Sequence, residues 1–188
     1  MASPSNGAGA GGATPDGIRT LALVGPAAAG KTLLAEALLH AAGAITTPGT
    51  LERGSTVSDH DPLERRMAHS LNASVMHMAH DGVRIHFIDT PGTPDFLGQS
   101  LPALEAVETA VVVINAATGI EPMAVRMMDY AASRHLDRLI VVNKIDSAGV
   151  DLPGLLAQIH PTFAKECLPL NLPDDGAAKV VHCFYNRE

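Results

Sequence analysis

The stretch that most restricts the fold is Gly25 to Thr32, GPAAAGKT. It separates the apolar run IRTLALV from KTLLAEALLHAAG, where Leu34, Leu38 and Ala41 recur at helical spacing and Gly43 can close a helix. A loop with the spacing GxxxxGK[ST] between a strand and a helix turns successive backbone N–H groups inward, onto phosphate oxygens at the positive end of the helix. Lys31 would reach the outer phosphates, and the Thr32 hydroxyl would ligate Mg²⁺. Pro26, Ala27, Ala28 and Ala29 fill the variable positions, and Pro26 alone among them lacks an N–H. Strand, tight loop and helix in this order make an α/β fold the expectation.

Composition agrees. A chain of 188 residues suits one domain, and with 46% hydrophobic but only 3% aromatic residues its core must come from Ala, Val, Leu, Ile and Met. A net charge of −7 excludes holding nucleic acid by bulk electrostatics, so no DNA partner is expected and any RNA must be met locally. Cys167 and Cys183 sketch no disulfide framework and read as packing residues in a reducing compartment. No apolar run approaches the ~18 residues of a membrane helix; VETAVVVINAA is a buried strand at most. Residues 1–17, MASPSNGAGAGGATPDG, carry neither secretory nor transit signals and read as a disordered low-complexity tail. The expected setting is cytoplasmic, with no membrane partner and a monomeric chain.

Beyond the helix, residues 44–70 show no periodicity and read as a long surface loop. SLNASVMHMAH and VRIHFID flank Asp81-Gly82, a type I′ hairpin signal, so they should pair antiparallel. FLGQSLPALEAVE is helical in spacing, with Pro102 expected to break or kink it. AVVVINA then reads as a strand, PMAVRMMDYAASRHL as a helix and RLIVVNKID as a strand, which predicts a mainly parallel sheet with one antiparallel hairpin and helices on both faces. DLPGLLAQIHPTFAKE reads as a helix, and CLPLNLPDDGAAKVVHCFYNRE as two short strands around a turn. His77 and His80 lie three apart on a strand and face opposite sides, which argues against one shared ion.

Two further motifs close strands. In DTPG, Asp89, Thr90, Pro91 and Gly92, the Asp can hold Mg²⁺ through water and the Gly amide can meet a γ-phosphate and swing away when it is lost. In NKID, Asn143, Lys144, Ile145 and Asp146, the final carboxylate can accept from the amino edge of guanine, which adenine lacks, so GTP/GDP is the expected nucleotide.

Together with GTLERGSTVSD (49–59), DTPGTPDF (89–96), GIEP (119–122) and VVNKID (141–146), these residues resemble the translational GTPases, and within them the elongation factor G group, over roughly 19–150. The resemblance implies a P-loop NTPase G domain over 18–150. Residues 151–188 would be the end of that core and the start of an insertion subdomain in an incomplete chain. It implies a GTP- and Mg²⁺-dependent factor acting on the ribosome, on rRNA and ribosomal proteins, mainly through domains outside this chain, in translocation or ribosome disassembly. A ribosomal protection or release-type factor shares the same domain.

Within the long loop the family has Arg-Gly-x-Thr, whose Thr completes the Mg²⁺ shell; MAHS aligns here, so Ser70 would supply that hydroxyl beside Thr32. The family's P-loop also carries His and Asp where Pro26 and Ala28 stand, so a monovalent-cation site built on that Asp is not expected. After DTPG the family places the His that orients the attacking water; here it is Thr93, whose hydroxyl is too short and too weakly basic to substitute directly. Lys31 and the Thr93 position are therefore the catalytic candidates. Either GTP hydrolysis is slow and the chain is a GTP-gated ribosome-binding regulator, or the water is positioned by a ribosomal group, by Thr93 through a second water, or by a His from elsewhere, His69 in the loop being the best candidate.

Overall fold

The computed structural model describes residues 14–58, 62–67, 70–163, 167–174 and 179–183. β1 (Ile18–Val24), β2 (Ser74–His80), β3 (Val83–Asp89), β4 (Thr109–Asn115) and β5 (Asp137–Asn143) form one sheet in the order β2-β3-β1-β4-β5. β1 runs parallel to β3 and β4, and β4 parallel to β5, while β2 alone pairs antiparallel, with β3. The hairpin turn is where its residues demand it: Asp81 at φ 48° and Gly82 at φ 81° both lie in the left-handed region that a type I′ turn needs. β4 is buried along Ala110–Asn115, as its unbroken apolar run requires of a central strand covered on both faces.

Alternation along the strands makes two cores. Leu23 of β1, Val111 and Val113 of β4, Phe87 of β3 and Met76 and Met78 of β2 pack against Ala35 and Leu39 of α1 (Lys31–Ala41). On the other face Ala22, Val24, Val112 and Ile114 meet Ala103 and Leu104 of α3 (Leu97–Glu105) and Met127, Met128 and Ala131 of α4 (Pro122–Ser133). Helices thus lie on both faces of a mostly parallel sheet, as expected. Tyr130 Oη donates to Glu105 Oε1 (2.5 Å) and Arg134 to Glu105 Oε2, tying the end of α3 to the end of α4. The Tyr130 bond, then Arg134, holds the Glu105 carboxyl below its ordinary range, and the same bond raises the Tyr130 phenol. No helix among the described residues is long and apolar enough to cross a membrane.

Three expectations need correction. The stretch 44–70 is not loop throughout, because PLERRM folds as α2 (Pro62–Met67), whose Glu64 is buried; six residues are too few to show periodicity in sequence. Of the break or kink expected at Pro102, the break does not occur, and α3 continues to Glu105: burial of Ala103 and Leu104 in the turn that follows outweighs the one lost backbone bond. Cys183 is exposed and Cys167 half-buried, both as free thiols, so Cys183 does not serve packing. The helix expected at DLPGLLAQIHPTFAKE is α5 (Leu152–Thr162), and β6 (Asn171–Asp174) pairs antiparallel with β7 (Lys179–His182) in a separate ribbon. Of the expected tail, 1–13 lie outside the described residues, and Pro15–Gly17 form a 3₁₀ turn leading into β1.

The cores set the stability. Leu104→Ala, at a fully buried position, should cost about 2 to 5 kcal/mol in chemical denaturation, whereas Leu168→Ala, at a position 74% exposed, should stay within about 0.5 kcal/mol.

Candidate functional site

Because β1, β3 and β5 are parallel, the three motifs that follow them open on one edge of the sheet. β1 lies at the point where the chain first turns to β3's side and then to β4's, the crevice in which open α/β sheets receive ligands. The loop after β1 has Gly25 at φ 132°, Ala28 at φ 58° and Gly30 at φ 93°, an alternation of hand that turns amides to one side. Glycine is obligatory at Gly30, where a methyl would overlap Asn143 Nδ2. NKID braces the loop from beneath: Asn143 Nδ2 donates to Ala29 O (3.0 Å) and Lys144 Nζ to Ala28 O (3.0 Å).

Lys31, 6% exposed, points into the same turn and donates to Gly25 O (3.1 Å) and Pro26 O (2.8 Å). Burial pulls its ammonium from the ordinary 10.5 down to about 8, with Asp89 and then Glu121 working against the shift. Next on α1, Thr32 Oγ1 donates to Asp89 Oδ2 at 2.6 Å and lies 3.4 Å from Ser70 Oγ. Three side-chain oxygens from α1, β3 and the polar loop therefore meet at one point, and a set of hard oxygens is the donor chemistry that suits Mg²⁺. Gly92 seats DTPG against the phosphate loop so closely that a methyl there would overlap Ala27 N, the Pro26 carbonyl carbon and Lys31 Nζ. Between these parts lies a cleft of about 330 Å³, lined by Lys31, Thr32, Ser70, Gly92, Thr93 and Lys144, with Leu33 and Leu51 on its apolar side.

Known proteins place this geometry. The family model for the elongation factor Tu GTP-binding domain matches residues 16–182. The chain belongs to that family, the translational GTPases. It is 36% identical over 163 residues to an elongation factor G-like protein of Mycobacterium tuberculosis, covering 86% of this chain and 23% of that protein. It is 35% identical over 159 residues to peptide chain release factor 3 of Staphylococcus aureus, covering 82% of this chain and 31% of that one. A crystal structure of a Thermus thermophilus protein superposes with a TM-score of 0.80 at 37% identity, over 85% of this chain and 24% of that chain. The chain thus spans between 23% and 31% of the length of these curated relatives.

In this translational GTPase domain the residues singled out from sequence fall into two groups. Lys31, Thr32, Ser70, Asp89, Gly92, Thr93 and Lys144 surround one cleft or bond directly across it. Thr90 lines the cleft too, with its hydroxyl donating to Leu23 O, and Pro91 O accepts from Ser100 Oγ at the base of α3. Ile145 and Asp146 follow β5 in a turn, where Asp146 is exposed, while Asn143 is spent on bracing the loop. His69 lies outside the described residues. His77, dismissed above as a partner of His80, instead faces His86 across the hairpin with ring centroids 5.8 Å apart. Sequence reading missed Glu36 and Glu64. Glu36, one helical turn beyond Thr32, accepts from Gly49 N (2.7 Å) and Val57 N (2.5 Å), folding 49–57 into a compact loop that carries Leu51 to the cleft. A glutamate between Ala35 and Leu39 on the buried face of α1 was the available signal.

The Lys31 charge has a measurable cost. Its folded pKa of about 8 lies below the ordinary 10.5, so between these values the unfolded chain binds more protons and stability rises with pH; below about 8 the penalty is present in full. Lys31→Met, with the chain stripped of nucleotide, should therefore raise the melting temperature at pH 7, by a margin that shrinks as pH climbs toward 10.5, and should abolish GTP binding at every pH.

Proposed function

We propose that residues 18–150 form a domain that binds GTP or GDP with Mg²⁺ and hydrolyses GTP, and that it serves a translation factor acting on the ribosome in the cytoplasm. The observation that carries this reading is the meeting of Thr32, Asp89 and Ser70 at one point beside Lys31. Amides of 25–32 would receive the α- and β-phosphates, Lys31 the β- and γ-phosphates, and Asp146 the guanine edge. Thr32 and Ser70 would hold Mg²⁺ directly and Asp89 through water; when bound, the ion neutralises charge developing on the phosphates. The Gly92 amide, already against the phosphate loop, would sense the γ-phosphate. Residues 151–188, with the separate β6–β7 ribbon, would close the core and begin an insertion.

The relatives are an elongation factor G-like protein and a peptide chain release factor, and translocation, ribosome disassembly and release-type action are all compatible with this reading. A second reading, a GTP-gated ribosome binder with little hydrolysis, is favoured by Thr93: it lines the cleft at the position where the family places a water-orienting His, and its hydroxyl is a poor base. GTP hydrolysis by the full gene product, with and without ribosomes, separates the two. Strong ribosomal acceleration of the natural protein supports the first. If only Thr93→His responds, by roughly 10²-fold or more, the gated binder is correct.

A further inference from the structure

Two deeply buried carboxylates lie outside the roles assigned above, and both are spent on the polar loop. Glu64 of α2 is 3% exposed, and its Oε1 accepts from the amides of Leu71 (2.9 Å) and Asn72 (3.0 Å). Those are the two residues immediately after Ser70, whose Oγ stands 3.4 Å from Thr32 Oγ1. Glu36 holds the distant end of the same loop, at Gly49 and Val57. A carboxylate so far from water is tolerated only when its hydrogen bonds are made, and bonds to a charged acceptor are about twice as strong as neutral ones. One oxygen receiving two successive amides fixes two successive peptide planes, including the one that joins Ser70 to Leu71.

We infer that Glu64 is the positioning residue for Ser70: it fixes the backbone on the C-terminal side of that serine so that the hydroxyl arrives beside Thr32 and Asp89. This rests on the proposed reading of Ser70 as a Mg²⁺ ligand. Groups that orient a metal's ligands typically govern about 10- to 100-fold in metal affinity. In this role Glu64 acts through the backbone next to Ser70, at the amides of Leu71 and Asn72.

The test titrates Mg²⁺ against binding of a fluorescent GTP analogue, for the natural chain, Ser70→Ala, Glu64→Ala, Glu64→Gln and the Ser70→Ala/Glu64→Ala double variant. Ser70→Ala and Glu64→Ala should each raise the Mg²⁺ midpoint about tenfold. The double variant should go no further than either single one, because both act on the same ligand. Affinity for the analogue in EDTA should be unchanged throughout, which a general loosening of the fold would not allow. Glu64→Gln keeps an acceptor oxygen in place and should shift the midpoint by less, about threefold. Amide exchange at Leu71 and Asn72, followed without metal, should quicken in the order natural, Gln, Ala. If Ser70→Ala moves the midpoint while both Glu64 variants stay within about twofold, or if the double variant adds the two effects, the inference is overturned and the Mg²⁺ role of Ser70 survives. If Ser70→Ala has no effect, the Mg²⁺ role falls and the inference with it. Where Glu64→Ala does not fold, Glu64→Gln decides by the same midpoint and exchange.

Discussion

The hydrogen bond from Thr32 to Asp89, 2.6 Å long, joins the first turn of α1 to the last residue of β3, and the nucleotide edge of the domain is arranged around it. It requires β1 and β3 to be adjacent and parallel, so that both chains reach the same edge. It requires the loop after β1 to be tight enough for α1 to begin beside β3. It also requires both groups to be nearly dry, Thr32 at 9% and Asp89 at 1% exposure, where a bond to a charged acceptor is strong and an unmade one is expensive. Lys31, one residue earlier, inherits that dryness. Its ammonium is held by two backbone carbonyls and by the field of Asp89 and Glu121, at the cost of a depressed pKa. Charge kept where it is expensive is the mark of a binding site.

Much of this was legible in the residues because it rests on local rules. GPAAAGKT between an apolar run and a helical one fixed a loop of known use; Asp81-Gly82 fixed the hairpin; the unbroken β4 run fixed a central strand; and strand-closing DTPG and NKID, given a parallel sheet, had to share an edge. What was not legible depends on pairings distant in sequence. Nothing in PLERRM says that Glu64 will bury itself beneath Leu71 and Asn72. Asn143 adds a bond that its motif does not announce: its Nδ2 donates to Ala29 O, which supports the phosphate loop. Pro102 does not break α3 because the burial of Leu104 offsets a local penalty of about 3 kcal/mol.

The polar loop illustrates how side chains replace regular structure. Between α1 and β2 the described backbone makes few bonds to itself, chiefly Ser55 N to Thr50 O and Gly54 N to Leu51 O. Instead Glu36 takes Gly49 and Val57, Ser55 Oγ takes Thr50 N, Ser58 O takes the Ser74 hydroxyl, and Glu64 takes Leu71 and Asn72. Each bond crosses the loop or ties it to a helix or strand, so the segment has definite geometry without periodicity. That is why it reads as featureless in sequence while still delivering Leu51 and Ser70 to the cleft.

Thr93 is placed by its backbone rather than by its side chain. Its carbonyl accepts from Phe96 N (3.0 Å), opening the 3₁₀ turn Pro94–Phe96 that runs into α3, and Ser100 Oγ of α3 reaches back to Pro91 O (2.9 Å). Gly92 on one side is pressed against the phosphate loop, and α3 is tied at its far end to α4 through Glu105. Among the described residues, no side-chain bond of Thr93 takes part in this fixation. Position 93 therefore presents whatever residue occupies it to the same cleft, and the residue there sets the chemistry without setting the geometry. Helix α3 is bonded at one end to DTPG and at the other to α4, so it ties this loop to the helical face of the sheet. The identity of residue 93 and the linkage of its backbone to α3 are thus separable: a substitution at 93 leaves the bonds of Thr93 O and Pro91 O intact.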